Sequence, residues 1–138
     1  MGISNKQIFI FNGKLIVKLN FVSLDIPYPP NYGGAIDIFY KIKAITELDC
    51  KIILHCFYSN RSFSSELEKY CDQVHYYPRK YNLATLLFSI NPFLVASRTS
   101  NKLLENLKKM DYPIFFDGLQ STALSKHIDL ISRKKYLR

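Results

Sequence analysis

The sequence lacks the features of secreted, membrane-spanning and disulfide-linked proteins. It has no apolar run of about eighteen residues and no charged leader before an apolar core, so we expect a cytoplasmic protein. Its three cysteines, Cys50, Cys56 and Cys71, are an odd number without a CxxC pair, which argues against disulfides and a zinc site. The three histidines are spaced unlike metal ligands, and we predict no metal.

Motifs for common cofactors and nucleophiles are also missing. No GxGxxG follows the first predicted strand, no acidic residue ends the second, and there is no Walker A motif or nucleophile elbow. These absences argue against an NAD-type site and against a self-contained hydrolase or oxidoreductase. No RRM, KH, zinc-finger or recognition-helix pattern occurs, so we predict no nucleic-acid partner.

Acidic residues are scarce relative to basic ones, and the formal net charge is +8. Most basic residues are spread over the predicted polar faces of helices, and the densest cluster is Arg133-Lys134-Lys135. One interpretation is a solvated surface. The other is attraction to anionic lipid or to a phosphorylated ligand.

What is present is an alternation of strand-like and helix-like segments in a chain of 138 residues, 48% of them apolar. Helices are predicted after Gly33-Gly34, over residues 62–72, and over residues 99–110 with Thr99 or Ser100 as the cap. This alternation predicts an α/β fold, a Rossmann-like doubly wound parallel sheet with helices on both faces and strand order 3-2-1-4-5. The predicted strands are residues 15–22, 51–57, 73–77, 113–117 and a fifth within 134–138.

The loop DIPYPPNYGG, residues 25–34, links the first strand to a helix with apolar residues at Ile38, Phe39 and Ile42. Its three prolines stiffen the backbone, and Gly33 and Gly34 allow a close approach at the start of the helix. Free amides and the positive end of the helix dipole suit a phosphate or sugar. The alternative is a plain Pro/Gly turn.

The predicted strand order brings this loop to the same crevice as residues 117–121 (DGLQS), where the order reverses. Asp117 has two candidate roles, a hydrogen bond to a ligand hydroxyl or a cap on the following helix. The residues predicted to line the crevice are Tyr28, Asn31, Tyr32, Asp117 and Gln120.

Several motifs, taken in order, resemble one enzyme family. They are DxPYPPxxGG at 25–34, KIILHCF at 51–57, YPR at 77–79, FDGL at 116–119 and RKKYLR at 133–138. Over about residues 15–138 the chain resembles the N-terminal Rossmann-like domain of GT-B glycosyltransferases of the retaining, family-4-like bacterial kind. This divides the chain into residues 1–13, an N-terminal extension or edge element, and residues 14–138, the glycosyltransferase N-terminal domain, without its C-terminal donor domain.

The resemblance implies that this half binds a glycan or lipid-linked acceptor in polysaccharide or glycolipid synthesis, while the C-terminal domain holds most of the nucleotide-sugar donor. Gly33 and Gly34 would approach the donor diphosphate, and Arg79 and Lys80 would face phosphate. Many relatives have a histidine where this chain has Asp117-Gly118, so no catalytic residue is assigned. The nucleotide sugar is the co-substrate, no other cofactor is expected, and the chain alone should be inactive.

Two alternatives accompany this prediction. The apolar segment 83–96 (LATLLFSINPFLVA) is either a helix packed on the sheet or an interfacial segment in peripheral contact with the inner face of the membrane. The chain could also be a stand-alone module of flavodoxin-like form that binds a sugar phosphate or nucleotide without chemistry.

Overall fold

The computed structural model describes residues 8–11, 14–81, 84, 87 and 92–138 and is an α/β Rossmann-like fold. Five strands run parallel, and their order across the sheet is the predicted order 3-2-1-4-5. The predicted fold class is therefore confirmed. These strands are β2 (Lys14–Ser23), β3 (Cys50–Tyr58), β4 (Gln73–Pro78), β5 (Ile114–Asp117) and β6 (Lys135–Leu137).

A further strand, β1 (Ile8–Phe11), pairs antiparallel with the first half of β2, from Ile8 opposite Val17 to Phe11 opposite Lys14. Val17 also pairs with Cys50 of β3, so β1 lies on the side of β2 opposite to β3. On that side, β1 pairs with the first half of β2 and β5 pairs with its second half. Residues 1–7, 12 and 13 lie outside the described residues. The division of the chain at residue 13 stays a prediction.

Helix α1 (Gly33–Glu47) begins at the glycine pair, as predicted. Helix α3 (Asn101–Lys109) lies within the predicted range 99–110, and Ser100 is its cap: the Ser100 hydroxyl accepts the Leu103 N–H at 3.2 Å. A short helix, α2 (Phe93–Ala96), precedes it. The two longer helices pack on opposite faces of the sheet, which makes the sheet doubly wound.

The predicted helix over residues 62–72 is wrong, because this segment contains only the 3₁₀ turn Ser65–Lys69. The Ser64 hydroxyl caps the turn by accepting the Glu66 N–H at 3.2 Å. Phe63 lies against the Tyr76 ring at 4.1 Å instead of joining a buried helical face. A serine side chain that hydrogen-bonds to nearby backbone groups competes with helix formation, and this segment forms a short turn instead of a helix.

The core has two layers, one on each face of the sheet. Adjacent residues of β2 serve different layers, since side chains alternate along a strand: Phe21 packs with α1 and Val22 with α3. The α1 layer includes Ile38, Ile42, Ile52 and Leu54. The α3 layer includes Leu103, Leu107, Ile114 and Phe116.

A buried polar chain crosses three strands. The Asn20 amide group donates to the Met110 carbonyl at 2.9 Å, and its oxygen lies 3.0 Å from His55 Nε2. His55 Nδ1 lies 2.8 Å from the Tyr77 hydroxyl, which accepts from Asn106 at 2.8 Å. Because the Asn20 amide oxygen can only accept, the neutral imidazole carries its proton on Nε2, and Nδ1 accepts from the Tyr77 hydroxyl. Burial, and to a smaller extent His75, lower the pKa of His55 to about 3.

Arg133, from the densest basic cluster, has a structural position. Its guanidinium donates to the carbonyls of Leu107 and Met110, each at 2.7 Å, and to that of Tyr112, while Asp111 lies 3.1 Å from Nε. These bonds join the end of α3 to the approach to β5. Neither interpretation of the cluster, solvated surface or anion binding, describes this side chain.

Segment 83–96 is only partly described: residues 83, 85, 86 and 88–91 lie outside the described residues. Within α2, Val95 and Ala96 are buried and Leu94 is exposed. The choice between a packed and an interfacial segment stays a prediction. None of the helices in the described part of the chain has the length and apolarity needed to span a bilayer.

Candidate functional site at the carboxyl edge of the sheet

A cleft of about 260 Å³ opens at the carboxyl ends of β2 and β5, and we call it the edge cleft. Parallel strands end at the same edge of a sheet, and ligands of open α/β sheets bind there, where the strand order reverses. The loops after β2 and β5 both contribute to the edge cleft. Its lining residues are Leu24, Gly34, Asp37, Ile38, Asp117, Gly118 and Arg138.

The start of α1 lies at this cleft. Tyr32 precedes the helix without a side-chain capping bond, and the first turn contains no acidic residue. A Cβ added at Gly33 would meet nothing within 4 Å, whereas one at Gly34 would lie 2.9 Å from the Tyr32 ring. The uncapped amides and the dipole make this end of α1 attractive to an anion, and Gly33 is its open position.

Four charged side chains alternate in sign beside the cleft. Arg138 donates to both oxygens of Asp37 at 3.1 and 3.0 Å, and Lys41 donates to Asp37 at 3.1 Å and also to Asp117. The Lys41 hydrogen bond, with a smaller contribution from Arg138, lowers the pKa of Asp37. The Asp117 carboxylate is almost fully buried, and its partner in this structure is Lys41.

Asp117 is predictable from the sequence as a site residue, whereas Asp37, Lys41 and Arg138 were not predicted to lie at the site. The four-residue spacing of Asp37 and Lys41 on a helix was an available signal for the first pair. No local pattern pointed to Arg138, whose position depends on the pairing of β6 with β5.

Gly118, which follows Asp117, has φ +78° and ψ 148°, a combination that side-chain-bearing residues rarely adopt. A Cβ there would lie 2.9 Å from Gln120 Oε1 and 3.2 Å from Leu24 Cδ2. The Gln120 side chain therefore occupies the space that a side chain at position 118 would need. The backbone turn at Gly118 brings the loop after β5 against the loop after β2.

The loop of residues 25–34, which we call the proline loop, is held in place by Arg61, which follows β3. Its guanidinium donates to Asn31 Oδ1 at 3.0 Å and to the Pro29 carbonyl, and lies 5.1 Å from the Tyr32 ring centre. Tyr28, whose peptide bond to Pro29 is cis, packs on the Phe39 ring at 5.7 Å. Sequence analysis did not identify Arg61 as the side chain that shapes this loop.

Tyr32 also bonds within the loop, donating its hydroxyl to Asp25 at 3.0 Å. Burial first, and Asp25 second, raise the pKa of Tyr32 to about 12. Of the residues predicted to line the crevice, Asp117 lines the edge cleft. Tyr28, Asn31 and Tyr32 belong to the proline loop and make their contacts within it and with its surroundings. Ligand contact by any of these residues stays a prediction.

Arg79 and Lys80 follow β4 and lie away from the edge cleft. Arg79 donates to Ser97 Oγ at 3.4 Å and lies 4.8 Å from the Tyr81 ring centre. Lys80 is exposed, and its backbone N–H donates to the Ser97 carbonyl at 2.8 Å. Their predicted role toward phosphate is not decided by these contacts.

Comparison with known proteins gives one informative similarity. The chain is 26% identical over 129 residues to an "Uncharacterized 44.6 kDa protein in cps region" of Klebsiella pneumoniae, and the match covers 89% of this chain. The chain spans about a third of that relative, 33% of its length. No protein-family model and no solved structure matches the chain.

Proposed function

We propose that this chain is the acceptor-side N-terminal domain of a nucleotide-sugar-dependent glycosyltransferase in cell-surface polysaccharide or glycolipid synthesis. The observation that carries the proposal is the edge cleft, where the uncapped, glycine-led start of α1 meets the loop after β5. A Rossmann-like sheet with a ligand crevice at its switch point supports it. The relative in a cps region, a region of capsular polysaccharide genes, supports a polysaccharide-biosynthesis context.

In this proposal the amides at Gly33 and Gly34 contact the diphosphate of a nucleotide sugar that is held mainly by a C-terminal domain. Backbone amides aimed at departing phosphates stabilise the charge that develops on them, so a bound metal is not needed for that step. The acceptor is a glycan or a lipid-linked glycan. A lipid-linked acceptor brings the enzyme to the inner face of the membrane. The chain supplies no catalytic side chain and is inactive alone.

Gly33 offers the sharpest test, since an alanine there meets open space in the folded chain. We expect nucleotide sugars to bind the isolated chain only at roughly millimolar concentration, because most donor contacts would come from the other domain. NMR titration should shift the amides of residues 33–35 and 118. Gly33→Ala should not lower the thermal unfolding temperature and should abolish these shifts, with Ser62→Ala, an exposed site, as the matched control.

Two results would contradict the proposal. One is the same nucleotide-sugar affinity in Gly33→Ala and in the unaltered chain. The other is sugar transfer by the chain alone, measured as released nucleoside diphosphate, since half of a two-domain site should not turn over.

A stand-alone sugar-phosphate or nucleotide binding module is the second candidate function. The observation that favours it is that β6 already pairs with β5, from Ile114 opposite Lys135 to Phe116 opposite Leu137, so the fifth parallel strand is present. Micromolar binding of a sugar phosphate by the chain alone would support this candidate over the first.

A further inference from the structure

Arg79 and Arg98 lie in two segments that contact each other at the carboxyl edge of the sheet, and we call them the arginine pair. Their segments are joined by two hydrogen bonds to Ser97, from the Lys80 N–H at 2.8 Å and from Arg79 Nη2 at 3.4 Å. Arg98 Nε donates at 2.9 Å to the carbonyl of Leu24, the residue after β2. The arginine pair therefore lies beside the start of the proline loop, on the β4 side of the sheet.

Within the described part of the chain, no acidic side chain forms an ion pair with either arginine. Arg98 is 5% exposed, and its other protein acceptor is the Leu94 carbonyl at 2.6 Å. All eleven acidic residues lie in the described part of the chain. A buried guanidinium without an anionic partner costs free energy.

Two further properties of the arginine pair, its mutual repulsion and an unpaired donor, also point to a missing anion. Burial first, and then the charge of Arg79, lower the pKa of Arg98, so the two guanidinium groups repel each other. The Nε of Arg79 is buried without a hydrogen-bond partner. Native proteins rarely leave a buried donor unpaired, and a guanidinium fork matches the oxygens of a carboxylate or phosphate.

Asp25, the acidic residue that acts electrostatically on Arg98, already accepts other hydrogen bonds. Asp25 accepts the Ile26 N–H at 2.8 Å and the Tyr32 hydroxyl at 3.0 Å. It acts on Arg98 only at longer range. An external anion is therefore the missing partner that the described side chains do not provide.

We propose that the arginine pair binds a carboxylate or phosphate group of the acceptor, so that the substrate class is a negatively charged saccharide. The identification of the bound anion as part of an acceptor rests on the proposed function, whereas the presence of an anion site does not. Arg79 follows β4, outside the edge cleft, and an acceptor held there would extend along the carboxyl edge toward the start of α1.

The test titrates the folded 138-residue chain with glucuronate, glucose 1-phosphate and glucose at constant ionic strength, followed by NMR. We expect an acidic sugar to shift the signals of Arg79, Ser97 and Arg98, and glucose to shift none of them. Glucuronate alone would identify a carboxylate, and glucose 1-phosphate alone a phosphate. Binding should fall about tenfold in Arg79→Gln, which loses one charged hydrogen-bonding partner.

Lys109→Gln is the matched control, because it removes the same charge from an exposed position on α3. Arg79→Lys is the second variant: it keeps the positive charge but loses the planar guanidinium donors, so binding should again fall. An equal loss in Lys109→Gln, equal binding of glucose, or no shift with either acid would overturn the proposal. Failure of the Gly33 test with intact acid binding would remove the glycosyltransferase proposal and leave the anion site.

Discussion

Lys41 and Asp117 form an ion pair beside the edge cleft although they lie 76 positions apart in the chain. Lys41 lies on α1, and Asp117 is the last residue of β5. Their side chains are 16% and 6% exposed, so the pair is largely removed from water. It joins the helix that follows β2 to the strand on the other side of the switch point.

The first prediction separates this pair from the second bond of Lys41. Asp117→Asn should lower the free energy of unfolding by about 1–3 kcal/mol, since it leaves a mostly buried ammonium with a weaker partner. Asp37→Asn is the matched control, because the Asp37 side chain is 51% exposed and its bonds to Lys41 and Arg138 lie near water. That change should cost less than about 1 kcal/mol. Equal losses in urea unfolding would contradict the assigned roles.

The fold was predictable because hydrophobic periodicity depends on local sequence. Strand β3 buries six consecutive residues, and helices α1 and α3 each bury one face; a linear sequence displays the first as a mostly apolar run and the second as a helical repeat. The failure at residues 62–72 was local too, where Ser64 favours a turn over a helix. The contacts of Lys41 with Asp117 and of Arg98 with Leu24 join distant segments. No spacing in one sequence identifies such partners.

The second prediction concerns the buried polar chain. Tyr77→Phe should lower the free energy of unfolding by about 1–3 kcal/mol, because it leaves His55 Nδ1 and the Asn106 amide without their common partner. Tyr40→Phe is the control, since Tyr40 is 57% exposed and its hydroxyl can bond to water. A Tyr77→Phe protein as stable as the control would show that water replaces the hydroxyl.

The third prediction is a pH dependence of stability caused by His55. Its folded pKa of about 3 lies below the ordinary histidine value of 6.5, so the unfolded chain binds more protons between these values. Stability should therefore rise with pH through this window and be fully present above the unfolded pKa. Between pH 7 and pH 5, this histidine alone should remove about 2 kcal/mol from the free energy of unfolding.

Comparison with His55→Gln tests this assignment. The variant will be less stable at pH 7, so the quantity to compare is the change between pH 7 and pH 5 in urea unfolding. That change should be smaller by about 2 kcal/mol in the variant. His75→Gln is the control, because His75 is only partly buried although its pKa is also lowered by burial. An unchanged pH slope in His55→Gln would refute the prediction.

The fourth prediction concerns the basic cluster. Arg133→Lys should lower the free energy of unfolding by about 1–3 kcal/mol although the charge is kept, because an ammonium cannot reach three carbonyls arranged for a guanidinium fork. Lys134→Ala should change stability by less than about 0.5 kcal/mol, since Lys134 is exposed. Similar small effects of both changes would indicate that the cluster is only a solvated surface.

The last prediction contrasts two glycines beside the edge cleft. Gly118→Ala should lower the free energy of unfolding by about 1–3 kcal/mol, because alanine is strained at φ +78° and ψ 148°. Gly33→Ala should leave stability unchanged or raise it by up to about 1 kcal/mol, since alanine reduces the freedom of the unfolded chain and meets nothing within 4 Å. Thermal and urea unfolding measure both. A large loss in Gly33→Ala would mean that this glycine serves the fold, and its effect on nucleotide-sugar binding would no longer report a ligand contact.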